Sequence, residues 1–568
     1  MKRQSFILSA IILTMGGFFA KAIGALYKIP LTNILGSNGI GLYYLVFPVY
    51  SLVISICSSG VAIAVATEVA KCRKLRHRYN EQKILQVSIV LSFVLSLILT
   101  ICTLCMSGLL AEAQGNINAR IGYIAIAPSI IISSIIATIR GYFQGIENMV
   151  PTTVSLIIEQ IVKLSVGLIL AHKLAFYGVN YAVLGAILGV TFSEIVAIIV
   201  ITINFIVYKG QLDFNYRNLI AKCRRKTVAI SLLKNKKWLK KSSIRISHKK
   251  YLISWDRHRY GLGEALRRVI KVALPSTLSG IILPIATMID SFLIINTLID
   301  SGFSTITSTA LYGLFGGVVQ SLVSLPIIII TAISTALVPS LSGLLAYNDT
   351  NEIKYRTNFY IKITWIISIL AFVLIYVFAE GIIKFLYGGG LTNTHIDEFS
   401  FAVTLLKVNS ISIIYSAFLQ TFTTILQVTG GASIPFGVSL FFLPLRIFLL
   451  KALLSIPSIN IYGAIISSTI YLGLICMCLA FAVKRKISLE YSLYRSLFKP
   501  LLIGLICLII GALGYTLLSS IMNYFVALII VATLLVVMYL IWVYFGKILT
   551  SREKKYFIIR KKISVKKK

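Results

Sequence analysis

Apolar residues gather in long runs near 5–27, 40–66, 84–110, 119–140, 153–173, 178–208, 269–297, 310–337, 358–380, 400–424, 433–456, 460–483, 497–520 and 523–546. A helix rises about 1.5 Å per residue, so about 20 apolar residues cross a hydrocarbon core of about 30 Å. Backbone polar groups in lipid must be satisfied within the segment, which selects helices. The pattern therefore predicts an all-α polytopic membrane protein with about fourteen transmembrane helices.

The polar gaps alternate in charge. Those after the second, sixth, eighth and twelfth runs are basic: Lys71, Arg73, Lys74, Arg76 and Arg78, then 209–268, then Lys354 and Arg356, then Lys484, Arg485 and Lys486. Both ends of the chain are basic too, whereas the other gaps carry few cations. Basic loops stay on the cytoplasmic side, so an even helix count with cytoplasmic N and C termini fits, and an odd count does not.

Composition agrees: 58% of the 568 residues are apolar, only 13% are charged, and mean hydropathy is +0.91. Soluble domains carry about a quarter charged residues, which excludes an ordinary soluble enzyme. The net charge of +37 is concentrated. Lys209–Lys271 contributes +16, Lys547–Lys568 contributes +9 and Thr67–Ile84 contributes +4, together +29. A nucleic-acid binder would carry such charge on a folded domain with stacking aromatics. Here it lies in gaps between apolar runs, so nucleic acid is not an expected partner. Anionic lipids at the basic loop and tail are, at about 1 kcal/mol per cation near the surface, with Trp238 and Trp255 as interfacial anchors.

An internal repeat divides the chain. Ser51-Leu52-Val53, Ala62-Ile63 and Ala66 recur 270 positions later as Ser321-Leu322-Val323, Ala332-Ile333 and Ala336. Pro151, Val154, Ser155 and Leu156 recur 284 positions later as Pro435, Val438, Ser439 and Leu440. Six helices separate the copies, so the halves share one orientation, a parallel repeat whose substrate site lies between them near the midplane. The expected organisation is an N-lobe over 1–208 and a basic cytoplasmic loop over 209–268. A C-lobe over 269–483, two added helices over 484–546 and a basic tail over 547–568 follow.

Charges inside the runs carry the functional signal, because a charge at the bilayer centre costs roughly 2.5–3.5 kcal/mol on insertion scales and faces a cavity or a partner. Gly17, Lys21, Gly24 and Lys28 share one face of the first helix, the two ammonium groups about 10 Å apart along it. Lys28 is near enough to one end to snorkel to the headgroups; Lys21 is deeper and is assigned to a cavity. In the fifth helix Ser155, Glu159, Lys163 and Gly167 recur every four residues, and Glu159 and Lys163 can pair at i,i+4. Asp290 lies in the seventh helix, Glu194 in the sixth and Arg446 in the eleventh. The expected substrate-binding residues are Lys21, Lys28, Glu159, Lys163, Asp290 and Arg446, and a cavity offering the four cations among them selects an anion. Ion coupling, if present, falls to Glu159, Glu194 and Asp290.

No GxxxxGK[ST], HExxH or GxSxG occurs, so no P-loop or hydrolase chemistry is legible. The eight cysteines suggest no metal site or disulfide framework; Cys102 and Cys105 form a CxxC inside an apolar run. His395, Asp397 and Glu398 are expected in a solvated loop. No catalytic residue, metal or cofactor is expected.

Two segments carry a resemblance: SAIILTMGGFFAKAIGALYKIPLTNILGSNGIGLY (Ser9–Tyr43) and RGYFQGIENMVPTTVSLIIEQIVKLSVG (Arg140–Gly167). With Ala273–Ile294, they resemble the polysaccharide biosynthesis branch of the multidrug/oligosaccharidyl-lipid/polysaccharide exporter superfamily. The stage V sporulation protein B group, relatives of the peptidoglycan lipid II flippase, is the nearest pattern. The resemblance implies a two-lobe transporter of the bacterial cytoplasmic membrane that moves undecaprenyl-diphosphate-linked sugars outward by alternating access. It implies a lipid-linked diphosphate sugar as cargo; a monomer is the expected working unit. Lys21, Lys28, Glu159 and Lys163 fall on the family's motif positions. Lysine stands where arginine is frequent and grips phosphate as a point charge. Two rival functions remain: a drug or cation antiporter of the same superfamily, and a membrane-embedded polymerase or ligase for lipid-linked sugars.

Overall fold

A computed structural model describes residues 6–75, 77–233, 259–346, 350–388, 397–431, 433–487, 498–546 and 548. The described residues form helices and turns with no strand. Among the described residues, twelve helices are long and apolar enough to cross a membrane, or thirteen if one bent pair counts as a single span.

The expectation of fourteen separate helices differs first at the start of the chain. There α1 (Phe6–Ile54), a π-helical turn (Ser55–Ser59) and α2 (Gly60–Lys74) follow one another without a loop. The apolar part, Thr14–Arg73, has 60 residues, about 90 Å if straight. It is interrupted at Gly36, with φ 68° and ψ −178°. A side chain at that φ is strained, so glycine marks the break where a loop was expected.

The chain continues through α3 (Arg78–Cys105), α4 (Ser107–Ala113), α5 (Ala119–Gly145), α6 (Val150–Ala175) and α7 (Val179–Leu233). The last runs well into the expected 209–268 loop, where no proline interrupts it; residues 234–258 lie outside the described residues. The expected seventh helix is two, α8 (Leu262–Gly280) and α9 (Ile282–Asp300). Pro284 has no N–H for the Gly280 carbonyl and its ring crowds that oxygen, which parts the helix there.

Next come α10 (Thr305–Gly313), a π-helical turn (Leu314–Val319), α11 (Gln320–Ala346), α12 (Thr350–Val377) and α13 (Ala379–Tyr387). The expected tenth helix is the bent pair α14 (Glu398–Asn409) and α15 (Ser412–Val428), at 43°. Ser410 Oγ donates to Lys407 O at 2.6 Å and Ser412 Oγ to Asn409 O at 2.7 Å, back-bonding that bends helices. Asp397 caps α14, accepting from Ser400 N at 3.3 Å and Ser400 Oγ at 2.6 Å; these bonds hold its carboxyl below the usual range. The chain ends in α16 (Ser433–Leu454), α17 (Tyr462–Ile487), α18 (Lys499–Ile521) and α19 (Tyr524–Phe545). The last two pack on each other and on α12, around Ile369, Cys507, Leu535 and Tyr539.

The largest apolar cluster runs from Tyr27 and Leu31 through Val318 and Val319 to Ile465, so early and late helices share one core. Its narrowest point is the crossing of α1 on α10. A Cβ on Gly41 would overlap the Thr309 carbonyl oxygen, and one on Gly313 would overlap that of Ser37. Small residues let helices approach to backbone contact in lipid, where association rests on packing and hydrogen bonds.

Polar bonds ring this end of the bundle. Ser37 Oγ donates to Glu398 Oε1 at 2.5 Å and Asn33 Nδ2 to Leu386 O at 2.8 Å. Gln114 Nε2 donates to Ser291 Oγ at 2.9 Å, and Asn116 Nδ2 to Thr309 Oγ1 at 2.9 Å. Glu398, expected in a solvated loop, is buried; His395 lies outside the described residues. At the opposite end Tyr260 N donates to Asn80 Oδ1 at 3.0 Å, and the Arg259 guanidinium lies 5.1 Å from the Tyr79 ring.

Gly41→Val should lower stability by about 1–3 kcal/mol, the usual cost of overpacking a tight contact, read as a lower melting midpoint in detergent. Gly17→Val is the control, because a Cβ at Gly17 meets nothing within 4 Å; equal losses in both would refute the close crossing.

Candidate cation cluster and its carboxylates

The first half of α1 lies along α6. A Cβ on Gly24 would stand 2.8 Å from Gln160 Oε1, so that glycine accommodates α6. Gly17 faces open space, and Lys21, one turn on, is exposed. Lys28 is half-buried, its Nζ 5.1 Å from the centre of the Tyr44 ring. Lys163, from α6, points toward the same region, its Nζ 5.5 Å from the rings of both Tyr27 and Phe47. Phe47 stacks on Tyr43 at 4.3 Å between centroids. Aromatic faces stabilise a cation by about 0.5–2 kcal/mol, less than a buried carboxylate would, and leave its N–H donors open. Neither Lys28 nor Lys163 forms an ion pair among the described residues.

The Glu159–Lys163 pair that the i,i+4 spacing allows is not formed among the described residues. Glu159 Oε2 instead accepts from Arg140 Nη2 at 2.8 Å, across from α5, and Oε1 accepts from Gln160 Nε2 at 3.1 Å. Arg140 also donates to Ser155 Oγ at 2.7 Å. Arg140 escaped the sequence reading because its apolar run seemed to end at residue 140, whereas the helix continues to Gly145.

Arg446 is not a free cation either. Its Nη2 donates to Asp290 Oδ2, with both side chains 12% exposed. The guanidinium also lies 5.0 Å from the Tyr471 ring. Asp290 was expected inside the seventh helix but not as the partner of Arg446: helices seven and eleven are far apart in sequence, and spacing within either cannot show their contact. A pair of this kind carries no net charge.

Glu194 is 5% exposed. Its Oε1 accepts from Tyr50 Oη and Ser133 Oγ, each at 2.5 Å, and Ser129 Oγ donates to Tyr50 Oη at 3.0 Å. Its Oε2 is buried without a hydrogen-bond partner among the described residues. Of the site residues expected, the structure thus brings Lys28 and Lys163 to one aromatic-lined region. It leaves Lys21 on an open face of the same helix and binds Glu159 and Asp290 to arginines.

Three cations near one helix pair, with the nearby acids occupied, can grip an anion. Residues 7–235 match the model for polysaccharide biosynthesis proteins. Over that stretch the chain is similar to this family. Stage V sporulation protein B of Bacillus subtilis (strain 168) is 25% identical over 495 residues, 87% of this chain and 86% of the relative. Lipid II flippase MurJ of the same organism is 22% identical over 528 residues, 91% and 89% of the two chains. Among solved structures, an inward-facing multidrug resistance transporter of the MATE family superposes with a TM-score of 0.62 at 14% identity, covering 84% of this chain and 98% of that one. An outward-facing one gives 0.56 at 16%, covering 86% and 97%. These similarities bear out the resemblance in the motifs, and the superpositions show a MATE-like, all-helical fold. Together they make this a multi-pass protein of the bacterial cytoplasmic membrane.

Asp290→Asn strands a buried guanidinium and should cost about 3–5 kcal/mol, as breaking buried pairs does. Asp290→Asn/Arg446→Gln should recover most of it in thermal unfolding; a double variant no better than the single would show that the two do not act as a pair.

Proposed function

We propose that the chain is a flippase for a lipid-linked oligosaccharide, its head held through an undecaprenyl-type diphosphate and its substrate a lipid II-type cell-wall precursor. The broader class, a transporter of the multidrug/oligosaccharidyl-lipid/polysaccharide exporter type and not an enzyme, rests on the relatives above. The observation that carries the finer reading is the unequal treatment of charge. Lys28 and Lys163 face aromatic rings and Lys21 faces open space, while Glu159 and Asp290 are bound to arginines. A cationic cargo would favour the reverse.

In this reading Gly36 separates two crossings, which with the bent pair brings the count to fourteen. Two six-helix lobes then precede α18 and α19, with both termini in the cytoplasm. Basic gaps then put Asn33, Gln114 and Glu398 on the outer side, so the bonds they make close the cavity outward. The head is taken from the cytoplasm onto Lys21, Lys28 and Lys163, the lobes rock, and the outer bonds part. Arg446 and Asp290 neutralise each other beside the path. Two negative charges leaving a negative interior gain about 4–5 kcal/mol at 100 mV, less whatever cavity cations move with them. The lipid tail stays in the bilayer, and anionic lipids meet the basic loop and tail.

A second reading, an antiporter for drugs or cations, is favoured by one observation, the buried Glu194 carboxyl among hydroxyls. In the flippase Glu194 is instead the group for ion coupling, since Glu159 and Asp290 are engaged. A polymerase or ligase has no comparable observation behind it.

Lys21→Ala and Lys163→Ala should each reduce export of lipid-linked precursor at least tenfold while leaving membrane insertion unchanged, measured by accessibility of the precursor at the outer surface; normal export by both would sink the reading. Native mass spectrometry of the purified protein should show a co-purifying diphosphate lipid. Bridging Ser37→Cys to Glu398→Cys with a short thiol-reactive linker should stop export, and cleaving the linker should restore it.

A further inference from the structure

Glu159 stands four residues before Lys163 on α6, the spacing and order that favour an ion pair within a helix, with Cβ atoms about 6 Å apart. Yet both its carboxylate oxygens are taken elsewhere: Oε2 by Arg140 at 2.8 Å and Oε1 by Gln160 at 3.1 Å. Arg140 is set in place by a second bond, from the same nitrogen to Ser155 Oγ at 2.7 Å. Lys163 meanwhile turns to Tyr27 and Phe47. Lys28 and Glu194 are the other charged groups near Lys163, but Glu159 is the carboxylate on its own helix, and whether that carboxylate serves Arg140 or Lys163 decides which of the two is left over. We infer that Arg140 is a positioning residue: by holding the Glu159 carboxylate away from Lys163, it keeps the Lys163 ammonium unpaired for the anionic group of the cargo.

This rests on the flippase reading for the cargo, but the positioning itself does not. Without Arg140, Glu159 has one cation within reach on its own helix and turns to it. The ammonium then donates to a carboxylate, is held protonated, and offers a ligand no net charge. A merely structural Arg140–Glu159 pair would affect stability and leave Lys163 as it was.

The test uses the full chain in nanodiscs and two readouts. The first is the rate of reductive methylation of Lys163 by formaldehyde and cyanoborohydride, followed by peptide mass spectrometry; only the neutral amine reacts. Arg140→Gln should slow it about three- to tenfold, a difference of up to 1.4 kcal/mol, Arg140→Gln/Glu159→Gln should restore it, and Arg140→Lys, which still holds Glu159, should leave it near wild type. An unchanged rate in Arg140→Gln, or a rate equally slow in the double variant, overturns the inference. The second readout is retention of added undecaprenyl diphosphate in native mass spectrometry, which should fall and recover across the same variants. If the labelling pattern holds but wild-type protein retains no diphosphate lipid, the assignment of Arg140 stands and the flippase reading falls.

Discussion

Hydrocarbon does not solvate charge, and the interior of this protein is arranged around that fact. Each ionisable group inside the helices must find an opposite charge, a set of hydroxyls, an aromatic face or open water. Asp290 and Arg446 take the first solution, as do Glu159 and Arg140; Glu194 takes the second; Lys28 and Lys163 take the third; Lys21 is exposed. The solutions differ in what they leave available. Ion pairs cancel, whereas a cation over a ring keeps its charge and its donors. The distinction separates groups that hold the protein together from groups that can hold something else.

Architecture was legible in the sequence because lipid imposes a length and a polarity on each helix. The runs predicted near 84–110, 119–140 and 153–173 reappear within a few residues as Arg78–Cys105, Ala119–Gly145 and Val150–Ala175. The departures have local causes. Gly36 breaks α1 where a loop was expected, Pro284 parts α8 from α9, and Ser410 and Ser412 bend α14 against α15. Hydropathy averages over a window and cannot see a one-residue change of φ or a side chain bonded to the preceding turn.

At the candidate site, spacing within a helix identified the charged faces but not their partners. Lys21, Lys28, Glu159 and Lys163 were found by periodicity, yet the aromatic rings from Tyr27, Tyr44 and Phe47 were not, because an apolar run is full of rings. The Glu159–Arg140 and Asp290–Arg446 pairs join helices, and helix-to-helix contacts leave no trace in the period of either. Arg140 could have been found by noticing that a charge at the end of an apolar run still lies inside the helix when glycine and aromatic residues follow it.

Lys28 precedes Gly36 by two turns of helix, Tyr44 follows it by two, and the ammonium lies over that ring. The Tyr44 hydroxyl shares a hydrogen bond of 3.1 Å with Ser321 in the later half of the chain, and Ser37, the residue after the break, is bonded to Glu398. One cation–ring contact therefore braces an articulation from the inside, like a strut across a knee. In the proposed flippase, an anion that draws the ammonium off the ring would remove that brace. Ser37, bonded to Glu398, lies in the same stretch between that cation and that ring, so in the proposed flippase cargo capture at Lys28 would bear directly on the segment that carries the outer fastening.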